Sequence, residues 1–502
     1  MNSTIKPTAK PRIRLKAGRH QRLFSINSAT NQRLIGGSLN FPMTADQIIE
    51  RNLIPLIAKS REAAANDGYI KQFLKMCRAQ VVGSTGIALR ANSKDPSGQS
   101  DQWANDAIEL AFKRYSSRAF CDVQGKLSLR AIQNACITSA ARDGEFFIRL
   151  IKNPSINPFG LAIHMLDPIR CPVNYHQEPT HNGHYIKQGI EFDSWGRPLA
   201  YHFTHVGSDN IDYNLGGQSF VRIPADEIIH GFLPELTEQK RGLPWTATAL
   251  MRLKMLAGME DATLINARAS ASKGGFFQWR EGYGPDMDDD MEPIEEAMEP
   301  NVSREIPPGL EFKEYNPNYP TGEAQSFSKS ILRGVASGLG VAYNHLANDL
   351  ENVNFSSIRQ GTLDEREFWK ELQQWLIDEL MQPLYEHWLP AALKAGAIQV
   401  NGKPLKLERL QKYLNVSWQP RSWDWIDPRA DLDAVKGRLA SGITSLSKVI
   451  RERGEDPEKI YEEIAQDIAA MQAAGIPDDF IQYAFQPLNK GNKPNEKQSD
   501  EK

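Results

Sequence analysis

One uninterrupted stretch limits what this chain can become: GLPWTATALMRLKMLAGMEDATLINARASASKGG, from Gly242 to Gly275. Pro244 sits where a first-turn proline is tolerated, no further proline follows, and Gly274 and Gly275 offer a stop. The pattern predicts a single helix of about 28 residues, roughly 40 Å long at 1.5 Å per residue. Apolar side chains lie nearly all round its first half (Leu250, Met251, Leu253, Met255, Leu256, Met259), whereas small and charged ones fill the second. One buried face would need only a narrow apolar stripe, so this distribution predicts neighbours on several sides.

A rod of that length must stand on a larger body. The 502 residues predict two to four structural units. From Thr44 the pattern is helical, with Thr44 to Gln47 forming a capping box and Pro55 expected to kink or end the helix. Helices follow over Tyr69–Arg78, Trp103–Tyr115 and Leu127–Asp143, with a strand in VVGSTGIALRA. From Glu145 the period changes. FFIRLI, LAIHML, YIKQGIEFD, LAYHFTHV and FVRIPADEIIHGF, divided by Pro, Gly and Asn, predict a mainly antiparallel β region and so an α+β class.

After the long helix comes an acidic segment containing Asp286, Asp288, Asp289, Asp290 and Glu292, either a solvated loop or a docking surface. It is no calcium loop, because Met291 stands where the sixth-position glycine belongs and Ala297 where the bidentate glutamate belongs. A second helix over Glu323–Gly340 places Phe327, Ile331, Val335 and Leu339 on one packing face. Gly334 and Gly338 cost that helix roughly 1 kcal/mol each, so close packing or a bend is their expected reason. Next, NHLANDLENVN (Asn344–Asn354) carries two acids, Asp349 and Glu351, and neither Lys nor Arg.

The chain contains no G-x-x-x-x-G-K-[ST], H-E-x-x-H or G-x-S-x-G. Nothing therefore cradles a nucleotide phosphate, holds catalytic zinc or forms a nucleophile elbow, and no catalytic residue or cofactor is assigned. Asp143 and Glu145 can be paired on paper into a nuclease, without a base or stabiliser to complete it. Cys171 with His176, His181 and His184 lacks the paired spacing of structural zinc, so these and His202 and His205 read as exposed loop or strand histidines, and no metal is assigned. The four cysteines lie far apart and predict buried thiols. No apolar run reaches the roughly 18 residues of a membrane span, and no signal core opens the chain, which predicts a cytoplasmic product. The formal net charge of −3 disfavours tight static binding of DNA by the whole surface.

The lead-in LPELTEQKRGLPW, the long helix, the later segment from PPGLEFKEYN to NFSSIRQG, and the late SLSKVIRERGEDPEKIYEEIA together resemble lambda-type portal proteins of tailed bacteriophages, in order from about residue 40 to 465. The resemblance implies an α+β portal-protein fold with an α/β wing, a long-helix stem, a small clip and a helical crown-side end, assembling into a ring. The implied divisions are a basic flexible arm (1–38), wing (39–235), first stem helix (236–273), clip (274–322), second stem helix (323–343), tunnel loop (344–356), a long helix returning to the wing (357–428), a helical crown-side region (429–485) and a disordered tail (486–502). Asn344, His345, Asn348, Asp349, Glu351, Asn352 and Asn354 would face the DNA channel. Lys254, Arg268, Lys273, Lys329 and Arg333 would be stem charges facing DNA or adjacent subunits, with Gly334 and Gly338 in the stem packing. Asp286, Asp288, Asp289, Asp290 and Glu292 would meet the terminase and neck proteins.

The implied role is a virion component, assembled in the host cytoplasm at one capsid vertex and partnered by the major capsid protein, scaffold, terminase large subunit and neck proteins. Duplex DNA would be packaged, retained and ejected through it, with no membrane involved. About twelve stem helices spaced 8–10 Å apart make a ring of axes roughly 31–38 Å across, leaving about 21–28 Å clear. An oligomeric DNA-processing enzyme and a non-portal connector ring are the alternatives.

Overall fold

The computed structural model describes residues 43–179, 181–204, 220–271, 275–280, 309–314, 323–351, 354–423, 428–455 and 457–485. The expected arm (1–38) and tail (486–502) lie outside them. The chain divides into two compact units, one of residues 1–83 and 91–416, the other of 84–90 and 417–502.

The larger unit opens with helix α1 (Ala45–Asn66), capped as its sequence predicts: Gln47 donates its backbone N–H to Thr44 Oγ1, and Thr44 N–H reaches Gln47 Oε1. Pro55 neither ends nor interrupts this helix. A mid-helix proline costs about 3 kcal/mol, but Leu53, Leu56 and Ile57 beside it are buried with Ile49, and each such side chain returns about 1.5–3 kcal/mol. Tertiary burial outweighs the local penalty. Helix α2 (Gly68–Cys77) runs into a π-helical turn, Arg78–Val82. The predicted strand through Val81 and Val82 is therefore confined to β1 (Ala88–Ala91). Helices α3 (Gln102–Tyr115) and α4 (Leu129–Asp143) match their expected spans closely.

The β region forms two antiparallel sheets. In the first, β2 (Glu145–Lys152) lies between β3 (Leu161–Leu166) and β8 (Ile228–Phe232). In the second, β4 (Tyr185–Lys187), β5 (Ile190–Phe192), β6 (Pro198–Thr204) and β7 (Phe220–Pro224) follow in sequence order. Alternate residues of β2 serve opposite faces. Phe147 meets Phe203 and Tyr201 of the second sheet, while Phe146 packs edge-on against Trp375. Both faces of β2 are thus covered, and a strand buried on both sides must be apolar along most of its length.

Helix α5 (Ala247–Ala271) is the predicted rod, 25 residues long. Pro244 precedes it by a turn, its carbonyl accepting the Ala247 amide at 3.0 Å. Strands β9 (Gly275–Trp279) and β10 (Leu310–Glu314) pair antiparallel, and α6 (Glu323–Leu339) follows. Then come α7 (Tyr343–Ala347), α8 (Phe355–Leu376), a π-helical turn at Ile377–Met381, and α9 (Gln382–Lys394). A small hairpin, β11 (Gln399–Val400) with β12 (Lys403–Pro404), and the single turn α10 (Leu410–Tyr413) close the unit.

In the smaller unit, β13 (Val416–Gln419) pairs with β1, and Arg90 Nε donates to Gln419 Oε1 at 2.9 Å. Helices α11 (Pro428–Ala440), α12 (Leu446–Glu452), α13 (Pro457–Ala473) and α14 (Asp478–Phe485) complete it. Among the described residues of these four helices, Ile450, Pro457 and Ile481 are buried.

Candidate functional site

The base of α5 is a crossing of two chain segments. Gly144 and Gly242 pass so closely that a Cβ on Gly242 would lie 1.9 Å from the Gly144 carbonyl oxygen. Only glycine at Gly242 permits this approach. Beside it, Arg241 and Glu145 form a buried ion pair, 1% and 0% exposed. The Arg241 Nε donates to both carboxylate oxygens at 2.9 Å, Nη1 to the Gln188 carbonyl at 2.8 Å, and the Gly242 amide to Glu145 Oε2 at 3.1 Å. The buried His230 ring stacks on Phe147 and bonds Glu145 through Nε2 at 3.0 Å. Burial alone would raise the Glu145 carboxyl, yet the Arg241 charge and the His230 hydrogen bond prevail and hold it at about 2. For His230 burial wins and lowers it, so the ring stays neutral and donates.

Both carboxylates of the paper nuclease are engaged by guanidinium groups. Glu145 is committed to Arg241, and Asp143 accepts two bonds from Arg61 at 2.9 Å and two from Arg142 at 2.9 and 2.7 Å. Among the described residues no group of three or more metal-ligating side chains converges. Cys171 is a buried thiol, and burial pushes it up to about 11. The histidines meet the expectation of exposed loop or strand positions in part: His181 is exposed and His184 half-buried, but His202 and the His230 side chain are buried, and His176 accepts the Gln188 amide and lies 3.3 Å from Glu50. His205 lies outside the described residues.

Above its base, α5 is held first by α1, through Leu243, Ala247 and Leu250 against Ile49, Leu53 and Ile57. It is held next by α6. Gly338 faces Thr248, whose Oγ1 donates to the Gly338 carbonyl at 2.8 Å, and Gly334 faces Arg252. Four residues up one helix correspond to four down the other, so the two run antiparallel. The expected close packing at both glycines is therefore contact within one chain. On α6 the packing face is Leu332, Val335, Ala336 and Leu339, whereas Phe327 is 56% exposed and leaves the expected stripe. On α5, Leu253 and Leu256 are buried, but Met255 is 62% exposed and Leu264 and Ile265 are also exposed. The predicted neighbours on several sides are thus met along the lower part of the rod alone.

The expected stem charges separate into distinct environments. Lys254 and Arg268 are exposed; Lys273 lies outside the described residues. Arg333 lies over the Tyr343 ring, 5.6 Å from its centroid. Lys329 pairs with Asp349 at 3.0 Å and Glu351 at 3.2 Å.

Those partners belong to the segment read as a polar loop. Its first part is the short helix α7, with Leu346 buried and Asn344 half-buried. Asn348 takes a left-handed conformation, φ 51°, which asparagine tolerates better than most residues. The turn brings Asp349 back to accept from Tyr343 Oη at 2.7 Å. The bonds from Tyr343 and Lys329 hold the Asp349 carboxyl down at about 2. His345 is tied through Nδ1 to Glu365 of α8, and that bond raises its proton affinity against an opposing effect of burial. Asn354 caps α8, accepting the Ser357 amide at 2.8 Å; Asn352 lies outside the described residues. Lys329, 20 residues before Asp349, supplies the positive charge that the segment itself lacks.

Asp286, Asp288, Asp289, Asp290 and Glu292 lie outside the described residues; the β9–β10 pairing brackets them. Among the described residues, no helix is long and apolar enough to cross a membrane.

Comparison with known proteins gives a consistent family. Residues 33–373 match the phage portal protein, lambda family. The probable portal protein of Halomonas phage phiHAP-1 is 34% identical over 445 residues, covering 87% of this chain and 84% of that protein. Portal protein B of Escherichia phage lambda is 19% identical over 494 residues, covering 90% and 91%. Among solved structures, a chain in the neck of an empty gene transfer agent particle aligns at TM-score 0.43 and 16% identity, covering 80% of this chain and 94% of that one. A chain from the neck of the native particle, computed with C12 symmetry, gives TM-score 0.42 and 14% identity over the same shares.

Proposed function

We infer the function from one premise: the chain belongs to the lambda family of phage portal proteins. It is a phage portal protein, a component of the virion at the head–tail connection. About twelve copies form a ring at one capsid vertex, with α5 and α6 of each copy lining the channel. DNA driven by a separate terminase enters through this ring, is retained by it and later leaves through it. The segment Asn344–Asn354 stands beside the channel. The acidic residues Asp286 to Glu292 present the docking surface for terminase and then for neck proteins, while the outer body meets capsid protein and scaffold. Assembly takes place in the host cytoplasm.

The observation that carries this reading is the 34% identity to a portal protein across most of both chains. The antiparallel α5–α6 pair supports it, because Met255, Leu264, Ile265 and Phe327 are exposed among polar neighbours, a mixed surface suited to copies on either side. As for an oligomeric DNA-processing enzyme, Asp143 and Glu145 are neutralised by guanidinium groups, which argues against that use of them. Native mass spectrometry of the purified chain, with electron-microscope class averages of the same sample, tests the proposal. Rings of about a dozen copies around an open axial hole are the expected result. A compact dimer without a channel, or nuclease or ATPase activity in clean protein, overturns it.

A further inference from the structure

We propose that Lys329 and Arg333 on α6 form a phosphate-binding site that the chain's own acidic segment occupies until a nucleic-acid backbone displaces it. The two cations are four residues apart, hence neighbours on one face of the helix. Lys329 lies 3.0 Å from Asp349 and 3.2 Å from Glu351, and Arg333 lies over Tyr343, whose hydroxyl donates to the same Asp349. Asp349 and Glu351 therefore stand where two phosphate oxygens of a passing strand would stand. The two halves of the mask differ: Glu351 is 67% exposed and exchanges readily, whereas Asp349 is 16% exposed and also bonded by Tyr343, so Lys329, 28% exposed, is freed from Glu351 first. Exposed ion pairs of this kind contribute little and weaken with salt. A polyanion has the further advantage of releasing its condensed counterions on contact with lysine and arginine.

The backbone makes release local. Asn348 is a left-handed hinge, and on its other side Leu346 is buried, His345 is tied to Glu365, and Gln72 Nε2 donates to the His345 carbonyl at 3.3 Å. Residues 349–351 can swing away while α7 stays seated. The ligand is duplex DNA, reached through the channel proposed above; the inference rests on that reading for the source of the DNA and on these contacts for the exchange.

The test is fluorescence anisotropy of the full chain with a short labelled duplex of random sequence at low salt. The unmasked variant, Asp349→Asn with Glu351→Gln, should bind roughly tenfold more tightly than the parent, with the slope of log affinity against log salt steeper by about one to two. Adding Lys329→Gln and Arg333→Gln should remove the gain. Glu462→Gln with Glu463→Gln makes the same change in net charge on α13, and should give no comparable gain. An unmasked variant that binds like the parent, or a gain that survives loss of the two cations, overturns the proposal. A second measurement needs no substitution: amide hydrogen exchange at 349–351 in the parent should rise on adding duplex, with residues 343–347 unchanged. No rise also overturns it. Inorganic tripolyphosphate run in parallel separates the sources, since a rise with tripolyphosphate and none with duplex would reject DNA as the ligand. Class averages of the same samples keep the two readings apart. Rings without unmasking reject this inference alone, and unmasking without rings rejects the channel alone.

Discussion

Two ion-paired clusters hold this molecule together in opposite ways. At the base of α5, Glu145 and Arg241 are buried, and five further groups complete their hydrogen bonds. On α6, the single cation of part-exposed Lys329 is shared by Asp349, 16% exposed, and Glu351, 67% exposed. The chemistry is the same and the surroundings differ. Removing either partner of the buried pair leaves an uncompensated charge in a dry place, whereas either partner of the exposed set can turn to water. Burial makes the first cluster a fixture, and exposure makes the second an exchangeable contact.

The strongest challenge to that contrast is Glu145→Gln. It should cost about 3–5 kcal/mol in chemical denaturation, because Arg241 loses its counter-charge. A loss under about 1 kcal/mol would mean that the base is no more fixed than a surface pair. Gly242→Ala probes the same place without changing charge. The added carbon meets the Gly144 carbonyl, and backbone yields less readily than side chains, so a loss of about 1–3 kcal/mol or more is expected. Thermal melting alongside the parent measures it.

Gly334→Ala should go the other way. Its added carbon meets only the end of the flexible Arg252 side chain, and alanine is better than glycine within a helix, so a gain of up to about 1 kcal/mol is expected. A loss comparable to that of Gly242→Ala would show that α6 is seated as tightly as the base. The smallest effect concerns pH. The folded state raises the His345 value above its ordinary 6.5. The stability contributed by His345–Glu365 is thus fully present below about 6.5 and fades as pH rises through the raised value. Glu145 has the opposite sign: its contribution is present above about 4.5 and fades as pH falls toward about 2. Hydrogen exchange followed against pH should loosen residues 343–347 first on the alkaline side, and His345→Gln should abolish that dependence.

The elements were legible in the sequence to the extent that local pattern decides them. The capping box at Thr44, the period of α3 and α4, the alternating strands and the long rod are near-neighbour effects. Pro55 was misread because its local cost was visible and the burial of Leu53, Leu56 and Ile57 was not. The buried base escaped notice because Glu145 and Arg241 lie 96 residues apart and only the fold brings them together. The one available hint was that each adjoins a glycine, Gly144 and Gly242, a combination that suits a tight crossing better than a loop. The 344–354 segment was recognised as distinct, but its charge balance was drawn within the segment, and Lys329 lies outside it.

The rigidity at the base has a mechanical meaning. Helix α5 is a lever about 37 Å long, pivoted where Gly242 crosses Gly144. A swing of roughly 5° at that pivot would carry the far end sideways by roughly 3 Å, a third or more of the 8–10 Å between packed helix axes. Any looseness at the pivot is multiplied along the arm, so angular accuracy has to be built in at the fulcrum. A guanidinium locked by a carboxylate and three backbone carbonyls, beside two segments in glycine contact, leaves little play there.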